Sequence, residues 1–150
     1  DVDMVNVHAL GGPDMLSAAR EAISNKGTKL IGVTVLTSWD QDDLKGLNVD
    51  LPLDQVVKNL AQTCSKEGLD GIVCSAQDVA SIKSELPSGF LYVTPGIRLK
   101  SDSSDDQKRI MTPNSAINNG SSYLVMGRSI AKSEDIEKTV RQIEEDESNG

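Results

Sequence analysis

The 150 residues suffice for one domain with a substantial core, because a chain of this length buries about two-thirds of its unfolded surface. A formal net charge of -8 and an aromatic content of 3% argue against nucleic-acid binding, since neither a basic field nor stacking side chains are available. The sequence shows no secretory-leader pattern and no apolar run that could cross a bilayer, so we expect a cytoplasmic protein that does not bind membranes.

Apolar runs with the lengths of buried strands alternate along the chain with segments of helical periodicity. The predicted strands are residues 4–9, 29–37, 71–74, 90–94 and 123–127. The predicted helices are residues 13–27, residues 52–68, a short helix containing Val79 and Ile82, residues 113–119, and a last helix that Ser133 caps. Residues 1–150 therefore form one predicted domain of five strand–helix units. Residues 144–150 form a predicted acidic, frayed tail, because none of them is apolar.

The second predicted helix places Leu53, Val56, Leu60 and Cys64 on one face, at spacings of three and four residues. Cys64 and Cys74 are the only cysteines, and no metal-ligand or disulfide spacing accompanies them. We expect two buried, reduced thiols and no metal site.

Strands joined by helices predict an α/β fold with a parallel sheet, whose ligands gather at the carboxyl ends of the strands. Two arrangements of such a sheet fit the pattern: an open sheet and a closed barrel. An open, doubly wound sheet of five strands fits the chain length, whereas a complete (β/α)8 barrel needs about 250 residues. Against the open sheet, two segments whose residues suit phosphate binding follow the last two strands, where barrels place their phosphate sites. The first strand also begins almost at Asp1, which leads us to expect a chain cut from a longer one.

Those two segments are strand ends that each carry an arginine. Gly127-Arg128-Ser129-Ile130 follows the last predicted strand, and Thr94-Pro95-Gly96-Ile97-Arg98 overlaps the end of the fourth. Backbone N–H groups at a helix start and a guanidinium both bind anions, so neighbouring corners of this kind suit one doubly charged phosphate. For either arginine taken alone, a surface salt bridge is the alternative.

Six blocks in order closely resemble the orotidine 5'-phosphate decarboxylase family, and together they cover essentially the whole chain. The blocks are Val7-His8-Ala9-Leu10-Gly11-Gly12, Gly32-Val33-Thr34-Val35-Leu36-Thr37-Ser38, Gly68-Leu69-Asp70-Gly71-Ile72-Val73-Cys74-Ser75-Ala76, Val93-Thr94-Pro95-Gly96-Ile97-Arg98, Asp106-Gln107-Lys108-Arg109 with Thr112-Pro113, and Gly127-Arg128-Ser129-Ile130. Each block alone is weak, whereas six in the right order make coincidence improbable.

The resemblance implies a TIM (β/α)8 barrel that works as a homodimer. Such an enzyme removes CO2 from orotidine 5'-phosphate to give UMP, without metal or organic cofactor. The resemblance aligns this chain with the fourth to eighth strand–helix units of that barrel, which are the carboxyl-terminal five of eight. The family's catalytic Asp-x-Lys-x-x-Asp motif belongs to the third unit. Asp43-Leu44-Lys45 does not replace that motif, because Asn48 stands where its second aspartate is needed. We therefore expect no catalytic residue in this chain and no decarboxylation by these residues alone.

The resemblance also assigns the substrate phosphate to four residues. Arg128 and the backbone of Gly127 would hold it, Gln107 would close over it from the loop of residues 99–108, and Arg98 would help from the neighbouring corner. An ordinary mobile connection is the alternative for that loop.

Thr37 and Ser38 stand where the family contacts the pyrimidine ring through a hydroxyl or a backbone amide. Capping of a following short helix is the alternative for either residue. Trp39 is predicted to pack in the core rather than to serve as a ligand platform.

Three other functions stay open. The chain could be a non-catalytic phosphate-binding half-barrel, stable through pairing with another copy or with the missing amino-terminal part. It could belong to a related barrel enzyme that acts on sugar phosphates, which usually needs a metal. An open-sheet flavin or receiver domain would need an acidic cluster or a phosphate loop after the first strand, and Leu10-Gly11-Gly12-Pro13 provides neither.

Overall fold

The computed structural model of the chain describes residues 2–24, 26–99 and 109–148. Five strands are present in these ranges: β1 (Met4–His8), β2 (Lys29–Val33), β3 (Gly71–Val73), β4 (Leu91–Thr94) and β5 (Tyr123–Leu124). The α-helices are α1 (Gly12–Ile23), α2 (Gln41–Gly46), α3 (Leu53–Lys66), α4 (Ala76–Ile82), α5 (Pro113–Asn119), α6 (Arg128–Ala131) and α7 (Ile136–Ser148). Two single 3-10 turns, Ala9–Gly11 and Lys83–Glu85, follow β1 and α4.

The five strands form one parallel sheet in the order β1-β2-β3-β4-β5. A doubly wound sheet reverses its strand order at a switch point, and the described strands never do so. Each crossover therefore moves to the next position in the same direction, as in a barrel. The strand order thus disagrees with the open, doubly wound sheet that the chain length favours.

Helices pack on one face of this sheet and enclose the main core. Leu30, Ile72 and Tyr92 lie in neighbouring strands and contribute to the same buried cluster. Gly32 lets α3 approach closely, since a Cβ at this position would collide with Cys64 Sγ. Both cysteines are free and buried, as predicted.

Helix α3 has the predicted periodicity but a different buried face. Its fully buried residues are Val57, Ala61 and Cys64, whereas Leu53, Val56 and Leu60 are only partly buried. The predicted residues therefore do pack against the core, but the deepest burial lies one residue later, at Val57 and Ala61. A spacing of three and four fits two adjacent faces of this helix, and only the packing selects between them.

Two strands are shorter than their apolar runs. Strand β2 ends at Val33 instead of residue 37, although Val35 and Thr37 remain buried. Thr34 still donates its backbone N–H to the Val73 carbonyl at 3.1 Å, after which the chain leaves the sheet. The apolar run marks burial rather than strand pairing here. Strand β5 also stops early, at Leu124, but Val125 beyond it is 47% exposed.

The last helix begins with a different cap than predicted. Asp135 Oδ1 accepts the backbone N–H of Lys138 at 3.0 Å, so Asp135 caps α7. Ser133 instead accepts the backbone N–H of Asp135 at 3.1 Å. Helix α7 continues to Ser148 and so includes most of the segment predicted as an acidic tail. The assignment of residues 1–150 to one domain stays a prediction.

No helix within the described ranges combines the length and the apolar character that a membrane crossing requires.

Candidate functional site

The carboxyl end of β2 leads into a tight turn that holds both predicted pyrimidine contacts. The backbone N–H of Trp39 donates to the Leu36 carbonyl at 3.0 Å and closes the turn around Thr37 and Ser38. Thr37 is 7% exposed, and Trp39 packs against the main core, as predicted. We call Leu36-Thr37-Ser38-Trp39 the β2 turn.

A small cavity of about 160 Å³ lies beside the β2 turn. Its lining residues come from the ends of β2, β3 and β4: Val33, Val35, Leu36, Thr37, Ser38, Val73 and Pro95. The structure therefore places the two predicted pyrimidine contacts and the Thr94-Pro95-Gly96 corner around one space at the carboxyl edge of the sheet.

The alternative role of Thr37 and Ser38 as helix caps is wrong. Helix α2 is capped by Asp40, whose Oδ1 accepts the backbone N–H groups of Asp42 and Asp43 at 3.0 and 3.3 Å. The Asp43 carboxylate accepts the N–H of Asp40 at 2.8 Å and completes a capping box. Leu44, next in sequence, is 3% exposed in the core. Asp43-Leu44-Lys45 thus lies within α2.

The corner after β4 fixes Arg98 in the interior. Arg98 is 7% exposed, and its Nη1 donates to the Ile97 carbonyl at 3.0 Å. The backbone N–H of Arg98 donates to the Met111 carbonyl at 3.0 Å, and Met111 returns a bond to the Gly96 carbonyl at 3.2 Å. Gly96 has a φ of +80°, which glycine adopts without strain. Because Arg98 is buried, a surface salt bridge does not describe it.

The corner after β5 carries Gly127 and Arg128. The carbonyl of Gly127 accepts the N–H groups of Ile130 and Ala131 at 3.1 and 2.9 Å, so Gly127 precedes the short helix α6. Gly127 has a φ of -103°, and no atom of the described residues lies within 4 Å of a Cβ built on it. Neither a positive φ nor packing within the described residues therefore requires a glycine here.

The sheet register relates the two arginines to each other. Thr94 of β4 pairs with Leu124 of β5, and Val125 donates its N–H to the Thr94 carbonyl at 3.0 Å. Arg98 and Arg128 each follow four positions after this register pair. Both arginines therefore follow strand ends at the same edge of the sheet, Arg98 buried and Arg128 half-buried.

Gln107, the remaining predicted phosphate contact, lies outside the described residues. Immediately after that segment, Arg109 forms an ion pair that the sequence analysis did not identify. Its Nη1 lies 2.7 Å from Asp78 Oδ2, and the two side chains are 12% and 11% exposed. Its Nη2 donates to the Leu36 carbonyl of the β2 turn in a long hydrogen bond of 3.4 Å.

The Asp78 carboxylate stands at the start of α4 and is affected by its surroundings in two ways. Burial raises the pKa of Asp78 above its ordinary value, and the Arg109 guanidinium offsets part of that rise. The sequence did offer Ser75 and Asp78 in the spacing of a capping box. The backbone N–H of Ser75 does bond the carboxylate, as that pattern implies, and the structure adds an arginine 31 positions away.

Comparisons with known proteins agree with these observations. The model of the family described as "Orotidine 5'-phosphate decarboxylase / HUMPS family" matches residues 1–143. A curated relative named orotidine 5'-phosphate decarboxylase, from Nitrosomonas eutropha, is 48% identical over 143 residues, covering 95% of this chain and 62% of the relative. The Aliivibrio fischeri relative of the same name is 49% identical, covering 93% of this chain and 61% of the relative.

The same likeness is present among solved structures. The crystal structure of orotidine 5'-phosphate decarboxylase from Lactobacillus acidophilus is similar with a TM-score of 0.81 and 34% identity, covering 97% of this chain and 63% of that one. The corresponding enzyme of Pyrococcus horikoshii shares the fold, with a TM-score of 0.72 at 17% identity. The chain thus spans 61–63% of the length of the three more similar proteins.

Proposed function

The chain belongs to the orotidine 5'-phosphate decarboxylase / HUMPS family, and on that premise we propose that its protein converts orotidine 5'-phosphate to UMP and CO2. In this proposal the present residues are the carboxyl-terminal five of eight strand–helix units of a barrel. They bind the phosphate and the pyrimidine, and the catalytic lysine and aspartates lie outside them. Similar proteins that carry the name of this enzyme, at 48–49% identity, support the reaction.

The position of Arg98 and Arg128 after two neighbouring strand ends is the observation that carries the phosphate site. Both follow the register pair Thr94–Leu124 by four residues, at the edge where parallel sheets bind ligands. Charge-assisted bonds from arginine are short and directional, which suits a dianion that must be oriented as well as attracted. The open space at Gly127 leaves room for a phosphate oxygen to approach the backbone. Gln107 is proposed as a further phosphate contact on the strength of the resemblance alone.

The cavity beside the β2 turn supports the pyrimidine site. Thr37 and Ser38 bring hydroxyl and backbone groups to a space otherwise lined by valines, a leucine and a proline. An apolar wall with a few polar groups is the usual composition of a small-molecule site, because the wall supplies burial and the polar groups fix orientation. The cavity and the two arginines both lie at the carboxyl edge of the sheet, so one nucleotide could reach both.

The division of labour follows from the chemistry of the proposed reaction. A carbanion-like centre must be stabilised and then protonated, which the family resemblance assigns to paired carboxylates and a lysine. The candidate Asp43-Leu44-Lys45 is engaged as the first turn and body of α2. The chain's own contribution is to bind the phosphate and the ring, whose binding energy helps to assemble the reacting geometry.

The test compares the 150-residue chain with a completed protein, in which the chain is joined to the part of the Nitrosomonas eutropha relative that lies outside the match. We expect the completed protein to release CO2 from orotidine 5'-phosphate and the chain alone to release none. UMP binding by the chain alone, without turnover, would identify a stable phosphate-binding half-barrel. Turnover by the pure 150-residue chain, or none by the completed protein, would contradict the proposal.

A variant of Arg128 tests the phosphate site within the same experiment. Hydrogen bonds to charged groups contribute about 1.5–3 kcal/mol, so Arg128→Gln should weaken UMP binding by the completed protein roughly 10- to 100-fold. Arg141→Gln is the matched control, because Arg141 is exposed on α7 and pairs only loosely with Glu137, at 3.4 Å. Equal effects of the two substitutions on UMP binding would show that Arg128 does not bind the phosphate.

A further inference from the structure

The Arg109–Asp78 ion pair joins three segments that are far apart in sequence. Asp78 lies in the first turn of α4, Arg109 lies just before the Met111 contact with the β4 corner, and Leu36 opens the β2 turn. A second bond connects two of these segments, since Gln77 Nε2 donates to the Ile110 carbonyl at 3.3 Å. The guanidinium therefore sits at a junction rather than at the surface.

The Leu36 carbonyl is the point where this junction meets the β2 turn. It accepts the Trp39 N–H at 3.0 Å and the Arg109 Nη2 at 3.4 Å. The first bond closes the turn around Thr37 and Ser38, and the second anchors the same carbonyl to α4 through Asp78. The Leu36 carbonyl thus links the turn that holds both hydroxyl-bearing residues to the guanidinium of Arg109.

Stability alone accounts poorly for this arrangement. Arg109 and Asp78 are both nearly excluded from solvent, and buried ion pairs are often no more stabilising than apolar residues of the same volume. Arg109 Nε is also buried and has no hydrogen-bond acceptor among the described residues. A buried donor without a partner lowers stability, so stability alone does not account for an arginine at this position.

We propose that Arg109 is a positioning residue, held by Asp78, that fixes the backbone of the β2 turn and thereby sets the recognition of the pyrimidine ring. The role in ring recognition rests on the proposed function. The role in fixing the turn does not, because it follows from the two bonds to the Leu36 carbonyl and the ion pair.

Arg109→Lys distinguishes the ion pair with Asp78 from the hydrogen bond to the Leu36 carbonyl. A lysine keeps the positive charge opposite Asp78, but its single ammonium cannot reproduce the two directions of the guanidinium fork. Asp78→Asn is the complementary variant, since the amide oxygen still accepts from Arg109. The matched control is Arg20→Lys, because Arg20 pairs with Asp70 at the same 2.7 Å at the opposite end of the sheet.

Hydrogen exchange at the Trp39 amide measures the turn directly, and it can be recorded on both the 150-residue chain and the completed protein. We expect Arg109→Lys to lower the protection of this amide three- to tenfold relative to the global unfolding of each variant, as loss of one hydrogen bond predicts. Asp78→Asn should have a smaller effect and Arg20→Lys none. Trp39 is the only tryptophan, so its fluorescence reports the same turn independently.

Ligand binding by the completed protein then tests ring recognition. Arg109→Lys should raise the Kd of UMP three- to tenfold and leave the Kd of ribose 5-phosphate, which lacks the base, within twofold of the wild type. Unchanged Trp39 protection, or protection that falls only in step with global stability, would overturn the positioning role. Equal weakening of both ligands would overturn the role in ring recognition. A third outcome separates the two proposals. If Arg109→Lys lowers the protection of the Trp39 amide but the wild-type completed protein binds no UMP, the proposed function is refuted and the positioning role is sustained.

Discussion

Two arginine–aspartate pairs of equal length hold opposite ends of the sheet in different ways. Arg20 and Asp70 lie 2.7 Å apart at the amino end and are each one-third exposed, whereas Arg109 and Asp78 lie 2.7 Å apart at the carboxyl end and are nearly buried. Asp70 also accepts the backbone N–H of Leu30 at 2.7 Å, so it links the starts of β2 and β3. The first pair connects structural elements, and the second fixes a turn beside a cavity.

The solvent exposure of an arginine–aspartate pair therefore decides what the pair contributes to the protein. A pair open to solvent is screened and adds little beyond the connection it makes. A pair removed from solvent carries a desolvation cost, and its value lies in the geometry that it imposes. Substitutions at the amino end should therefore change stability, and substitutions at the carboxyl end should change ligand binding.

After Arg128→Gln, the largest effect that distinguishes the two ends is expected from Gly127→Ala. A methyl group here enters the open space beside α6, where we place a phosphate oxygen, and crowding of a fitted site typically costs about 1–3 kcal/mol. UMP affinity of the completed protein should fall about tenfold, while the free energy of unfolding changes little because no described atom is displaced. Calorimetric titration and urea unfolding measure the two quantities.

Gly46→Ala is the matched control for that substitution, because no described atom lies near its Cβ position either, and the residue ends α2 away from both arginines. Unchanged UMP affinity in Gly127→Ala would remove the ligand from this corner. A large loss of stability would instead show that the glycine serves the fold.

The fold was most predictable where local chemistry and packing agree. Helix α5 spans Pro113–Asn119 as predicted, because Thr112 caps it, proline suits its first position, and Gly120 ends it with a φ of +111°. Apolar runs were less reliable at the strand ends, since burial continues through Val35 and Thr37 after β2 has ended.

The candidate site was predictable in part for a comparable reason. A glycine–arginine pair after an apolar run is a local pattern, and parallel strands bring such patterns to one edge. The partnership of Arg109 with Asp78 and Leu36 is not local, because it spans 31 and 73 positions. No periodicity or motif connects residues at such separations, so only the folded chain shows that they meet.

The buried thiols give a smaller effect, which depends on pH. Burial raises the pKa of Cys64 from 9.0 to about 11. Between these values the unfolded chain loses the proton while the folded chain keeps it. Cys64 therefore contributes stability that is complete below pH 9 and is lost as the pH rises toward 11, by at most about 1.4 kcal/mol per pH unit. Urea unfolding at a series of pH values measures the slope.

Cys64→Ala is the control for that slope, since it removes one of the two titrating thiols and should reduce the pH dependence to the part that Cys74 contributes, although it leaves a small void beside Gly32. Cys74 provides the comparison with the carboxyl end. Burial raises its pKa as well, and the nearby Asp78 carboxylate raises it further. Identical slopes in Cys64→Ala and the wild type would contradict the assignment.

The smallest effect is expected from Asp70→Asn at the amino end. The amide oxygen of asparagine still accepts the Leu30 N–H, so only the charge of the solvent-exposed pair with Arg20 is lost, at a cost of about 0.2–1 kcal/mol. Asp70→Ala also leaves the Leu30 N–H without its acceptor, so it should lower the free energy of unfolding by more, about 1–3 kcal/mol. Both variants of the completed protein should bind UMP as the wild type does. If Asp70→Asn cost as much as Asp70→Ala, the ion pair with Arg20 rather than the backbone bond to Leu30 would account for what Asp70 contributes to stability, and the contrast between the two ends would lose its basis in solvent exposure.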